Sequence, residues 1–90
     1  MSLPKFLVGR LVATPNALEK IPNPEILSAF KRHVTGDWGE VDADDRQENE
    51  LSLKEGFRLF SIYRSLTGVK FWIITEAGRH LTTVLLPEDY

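Results

Sequence analysis

From residue 57 to residue 86 the chain holds three apolar runs of strand length separated by turn residues, and no other part of the sequence restricts the fold as strongly. The run 57–65 is followed by Leu66-Thr67-Gly68, the run 69–76 by Ala77-Gly78-Arg79, and the run 80–86 closes the set. Runs this short, rich in β-branched and aromatic residues and joined by short glycine-containing connections, pair as an antiparallel meander. Side chains alternate across a strand. In the middle run Val69, Phe71, Ile73 and Thr75 share one face, and Lys70, Trp72, Ile74 and Glu76 share the other. The preceding run sets Phe57, Leu59 and Tyr63 opposite Phe60 and Ile62, so both faces of the sheet are apolar at their centres.

The first half of the chain must supply the cover. Residues 6–13 are aliphatic enough for a further strand, with Gly9 marking a bulge or a close backbone approach. Thr14-Pro15 is a helix start, Thr as N-cap and Pro at the first helical position, for a short helix over 16–21 that stops before Pro22. Asn23-Pro24-Glu25 repeats the signal, and Ile26, Leu27, Phe30 and Val34 recur at helical spacing. Lys31, Arg32 and His33 fall in the last turn, where the helix dipole favours positive charge. Asp42 caps a third helix running to about Glu55, with Asp44 and Asp45 in its first turn, Gly56 as its stop, and only Ala43, Leu51 and Leu53 as apolar anchors. The expectation is one α+β domain over 1–90: an N-terminal strand, two to three short helices, then a three-stranded antiparallel meander, forming one four-stranded sheet. Three short helices cover one sheet face and scarcely two. Phe60, Ile62, Trp72 and Ile74 are therefore expected to form a face covered by a second copy, as a homodimer, or by another protein.

Charge is unevenly spread. Residues 37–55 hold eight carboxylates against Arg46 and Lys54, a local balance of −6 in a chain whose net charge is −2, so the remainder carries +4. A pI near 5.6 argues against generic nucleic-acid binding, which draws its affinity from phosphate neutralisation by Lys and Arg. With 90 residues and no cysteine, the chain must bury a core without disulfide staples, which fits a cytoplasmic protein. No apolar run approaches the ~20 residues that span a bilayer, and residues 1–12 lack the pattern of a signal peptide, so no membrane is expected.

Two clusters are candidate sites. At Gly36-Asp37-Trp38-Gly39-Glu40 an indole and two carboxylates sit at a turn between helices; either they meet a partner, or Trp38 plugs the core edge while Asp37 accepts from loop amides. Glu76, Arg79 and His80, with Thr82, gather at one end of the sheet, where they could move a proton and hold an anion or form an exposed ion pair. Calcium chemistry fails on spacing, because an EF-hand loop starting at Asp42 puts Arg46 fifth and Gln47 where glycine is required. His33 and Asp37 have metal-ligand spacing without a third ligand. Serines lack a nucleophile-elbow context and the glycines make no phosphate loop, so no cofactor, metal or reaction is assigned.

Three segments, His33-Val-Thr-Gly-Asp-Trp-Gly-Glu40, Gly68-Val-Lys-Phe-Trp-Ile-Ile-Thr-Glu-Ala77 and Thr82-Thr-Val-Leu-Leu-Pro-Glu-Asp-Tyr90, together resemble a family of small bacterial proteins described as plasmid-related or as type I restriction subunits. The resemblance implies a bacterial, mobile-element setting. The family's loop Glu-Ala-Asp-Arg reads Glu76-Ala77-Gly78-Arg79 here, so its loop aspartate has no counterpart. The reading that follows is a non-enzymatic protein-interaction or regulatory module, with Asp37, Trp38, Glu40, Glu76 and Arg79 as binding residues. Two alternatives stand beside it. The element order is similar to that of small ribosome-directed, RNA-cleaving toxins, which would give Arg58, Arg64, Arg79, His80 and Tyr90 phosphate-binding or acid-base duties; and the acidic stretch would suit an inhibitor that imitates a few phosphates to block a nucleic-acid enzyme.

Overall fold

In the computed structural model, which describes residues 3–90, the elements follow as β1 (Arg10–Ala13), α1 (Pro15–Lys20), α2 (Asn23–Val34), α3 (Ala43–Glu55), β2 (Leu59–Arg64), β3 (Lys70–Thr75) and β4 (Leu81–Leu85), with a 3-10 turn at Pro87–Asp89. Met1 and Ser2, where the segment read as lacking a signal peptide begins, lie outside the described residues. Strands β2, β3 and β4 form the antiparallel meander, and β1 adds to β4 in parallel, giving one four-stranded sheet of order β1-β4-β3-β2. Among the described residues no helix is long and apolar enough to cross a membrane.

The pleat sorts the side chains as the alternation requires. Tyr63, Phe71, Ile73 and Val84 share one face, and Ala17 and Ile21 of the α1 region with Ile26 and Ala29 of α2 close over it. Burying each large aliphatic or aromatic side chain contributes about 1.5 to 3 kcal/mol, and this layer is the main core. Thr14 starts α1 as its position demands, its Oγ1 accepting from the Ala17 amide at 3.1 Å. The same hydroxyl donates to Asp89 at 2.7 Å, which pins the final turn to the head of α1.

Several boundaries differ from the sequence pattern, each for a local reason. β1 begins at Arg10 rather than residue 6, because Gly9 takes φ +63° against the β4 approach, where a Cβ would lie 2.3 Å from the His80 carbonyl group. Before Gly9 the chain leaves the sheet and reaches α2, with the Lys5 amide donating to Val34 O at 2.7 Å. Pro22, not Asn23, occupies the N-cap of α2 and offers no side-chain bond. His33, expected among the dipole-facing cations, is fully buried instead.

Helix α3 is capped as expected, Asp42 Oδ1 accepting from Asp45 N at 2.8 Å and Gly56 ending it in the left-handed region. Its anchorage is a correction: Leu51 is exposed, and the buried residues are Asn49 and Ser52, with Leu53 half-buried. Asn49 explains this. Its carboxamide receives the Phe60 amide at 3.0 Å and donates to the Phe60 carbonyl at 2.7 Å, acting as a neighbouring strand on the free edge of β2. Two residues on, Ile62 N donates to Trp38 O at 3.1 Å and Glu40 N to Ile62 O at 2.8 Å. The β2 edge is thus closed at both positions, the usual protection against edge-to-edge association. Asn49→Ala leaves both Phe60 groups unpaired beneath α3, and urea denaturation is expected to show a loss of about 2 to 3 kcal/mol; a loss below ~0.5 kcal/mol would mean that water replaces the carboxamide without cost.

Candidate functional site

The structure divides the acidic corner between core and surface. Trp38 is 3 % exposed, stacks on Phe6 at 6.3 Å and meets the His33 ring edge-on at 5.7 Å, while its Nε1 donates to Glu50 at 2.9 Å. Asp37 is exposed, and Arg32 grips both its oxygens at 2.7 and 3.2 Å; that bond holds the carboxyl below the usual carboxylate range. Its backbone carbonyl accepts from the buried Tyr63 hydroxyl at 2.7 Å. Glu40 pairs with Arg64 at 3.0 Å. Two of the eight carboxylates in the acidic segment therefore have cationic partners, and most of the rest lie on α3.

Glu76, Arg79 and His80 are near in sequence but serve different contacts. Arg79 takes φ +62° and donates to the carbonyls of Phe57 and Ser52, the latter at 2.7 Å, so its guanidinium caps the C-terminal end of α3 and ties it to the β3–β4 turn. It also lies 5.6 Å from the Phe6 ring centroid. Glu76 stands 4.0 Å from Arg58, and the His80 side chain is exposed. His33 Nδ1 and Nε2 are taken by Ser61 at 2.6 Å and Thr75 at 2.9 Å, and Thr75 continues to Thr82 at 2.8 Å. Neither ring nitrogen is left for a metal. Among the described residues no group of three His, Asp or Glu side chains could hold one.

A cleft of about 320 Å³ opens on the other sheet face, and it is the strongest candidate site. Phe60, Trp72 and Ile74 make its floor, Asp45, Glu48, Asn49 and Ser52 of α3 its wall, and Arg58 with Tyr90 its lip. Ile62 is half-buried beside Phe60 against the Trp38 and Leu59 cluster, outside the cleft lining. Phe60 meets Trp72 edge-on at 5.0 Å, and Tyr90 meets it at 5.7 Å. Arg58 donates to the Tyr90 hydroxyl at 2.7 Å and lies 5.1 Å from that ring's centroid. The Trp72 indole N–H is buried and has no acceptor among the described residues, a condition that costs about 1 to 3 kcal/mol.

The apolar floor was legible in the sequence as Phe60, Trp72 and Ile74. The wall was not, although a signal existed: Asp45, Glu48, Asn49 and Ser52 follow the i, i+3, i+4, i+7 spacing of one helix face. The inward face of α3 is written in polar residues rather than apolar anchors. No protein-family model, curated protein or solved structure matches the chain.

Proposed function

We propose that the protein is a non-enzymatic interaction module of a bacterial mobile element, acting in the cytoplasm, and that the cleft between α3 and the sheet takes a segment of another protein bearing a lysine or arginine. The indole N–H of Trp72 carries this reading, because it is buried at the floor of the aromatic cleft beside Tyr90 and has no acceptor among the described residues, and a partner's backbone carbonyl supplies one once Tyr90 gives way. The aliphatic stem of a basic side chain lies over Phe60 and Trp72, and its charged head meets Asp45 and Glu48. The exposed Tyr90 moves aside to admit the chain. The resemblance to plasmid-related proteins supports the setting.

A random-peptide display selection on the folded protein tests the proposal. Enriched peptides are expected to place Lys or Arg beside an apolar residue, to perturb tryptophan emission, and to bind about tenfold or more weakly to the Asp45→Asn, Glu48→Gln double variant. Acidic consensus peptides, or binding indifferent to the double variant, would sink it.

A further inference from the structure

The two edges of the sheet are treated differently. The β2 edge is closed by Asn49 and by the Trp38–Ile62–Glu40 bridge, whereas β1 presents an open one. Arg10 N donates to His80 O at 3.1 Å and Thr14 N to Val84 O at 2.9 Å, so the backbone groups of even-numbered residues face β4. By alternation the N–H and C=O of Leu11 and Ala13 face away from the sheet, and among the described residues they have no hydrogen-bond partner. The groove along this edge is apolar, about 350 Å³, and lined by Leu11, Val12, Ala13, Leu18, Ile26 and Leu27. Leu18 and Leu27 are each more than half exposed.

We infer that the β1 edge binds the β1 edge of a second copy of this chain, antiparallel about a two-fold axis at Val12. The register is self-complementary. With Val12 facing Val12, Leu11 of each copy faces Ala13 of the other, and all the outward N–H and C=O groups of these residues find partners. Leu11 and Ala13 point to the helix-covered face, where the exposed Leu18 and Leu27 stand beside the seam. On the opposite face the same register sets Arg10 across from Thr14 of the second copy, whose hydroxyl is held 2.7 Å from Asp89. Arg10 has no ion-pair partner among the described residues, and this placement brings a carboxylate within reach of its long side chain. Charge and hydrogen-bond complementarity thus coincide in one register. Because the β2 edge is closed, association consumes the open edge and stops at a dimer with a continuous eight-stranded sheet. The seam lies at the far edge of the sheet from the Trp72 cleft, so the two inferences fail separately.

Sedimentation velocity between ~5 and ~500 µM, with amide hydrogen exchange by NMR, tests the dimer. The wild-type chain is expected to shift from monomer to dimer with concentration, and the Leu11 and Ala13 amides to gain protection in step. Ala13→Pro removes an outward donor and no internal one, as proline on an edge strand can, and it should weaken the dimer about tenfold or more. Arg10→Glu sets like charges against Asp89 of the second copy and should weaken it too, while leaving binding of the selected basic peptides unchanged; it decides the matter if the proline variant does not fold. A wild-type monomer throughout overturns the inference, as does a dimer that survives Arg10→Glu with the Leu11 and Ala13 amides unprotected, which would place the contact on another face.

Discussion

The unfolding free energy is expected to fall by roughly 4 kcal/mol as the pH drops from 6.5 to about 3, with His33 as the cause. Burial pushes this imidazole down to about 3, helped by the positive charge of Arg79. In the unfolded chain the ring takes a proton as the pH falls through 6.5, whereas the folded protein, with Ser61 and Thr75 on the two nitrogens, refuses it until about 3. Proton uptake by the unfolded state alone therefore draws the equilibrium toward it, and stability is lost on the acid side. The depressed carboxyls of Asp37, held by Arg32, and Asp89, held by Thr14, Asn16 and the Leu86 amide, add their own loss, but only below their ordinary value of 3.8. The interval between pH 6.5 and 4.5 belongs to His33. His33→Phe keeps an aromatic ring against Phe6 and Trp38 and should flatten that interval, while costing about 1 to 3 kcal/mol at neutral pH through the hydroxyls it strands. Chemical denaturation across the interval is the measurement. A flat wild-type profile, or the same slope in the variant, would show that the ring protonates in place.

Replacing Gly39 by alanine is expected to cost about 3 to 4 kcal/mol or more, several times the cost of the same change at Gly56. Both glycines have positive φ, +73° and +77°, so the backbone penalty of about 1 kcal/mol or slightly more is shared. Their surroundings differ. A Cβ at Gly39 would lie 1.9 Å from Ile62 O, whereas at Gly56 nothing stands within 4 Å. The contact at Gly39 is the bridge that closes the β2 edge, so the variant must push away the segment carrying Trp38 O and Glu40 N, and with it the stacked Trp38. Thermal unfolding of the two variants in parallel separates crowding from strain. Equal losses would leave left-handed strain as the sole cost and the bridge without energetic weight.

These two sites also separate what is local in the sequence from what is not. Turn residues and apolar alternation placed the three meander strands to within two residues at their ends, and Thr14-Pro15, Asp42 and Gly56 marked helix termini because capping is settled by neighbours a few residues away. The Gly36–Glu40 corner was legible as a turn between helices, but the close approach of Gly39 to Ile62 O was not, because Ile62 lies 23 residues on. The role of His33 was hidden, since its partners Ser61 and Thr75 lie 28 and 42 residues away and nothing local tells a buried imidazole from one facing the helix dipole. The same distance concealed Asn49 behind the Phe60 edge and Arg79 at the end of α3.

What the amino-acid order determined by itself was the set of elements and the two apolar faces of the sheet, because propensity, capping and alternation act over a few residues. Only the tertiary structure decided that β1 joins β4 in parallel, that α3 lies along β2 and walls the cleft, and that, among the described residues, the outer edge of β1 stays open and the Trp72 donor unanswered. Each of these depends on which backbone and polar groups meet across long sequence separations, where every hydrogen bond made or missed is settled by packing rather than by neighbouring residues.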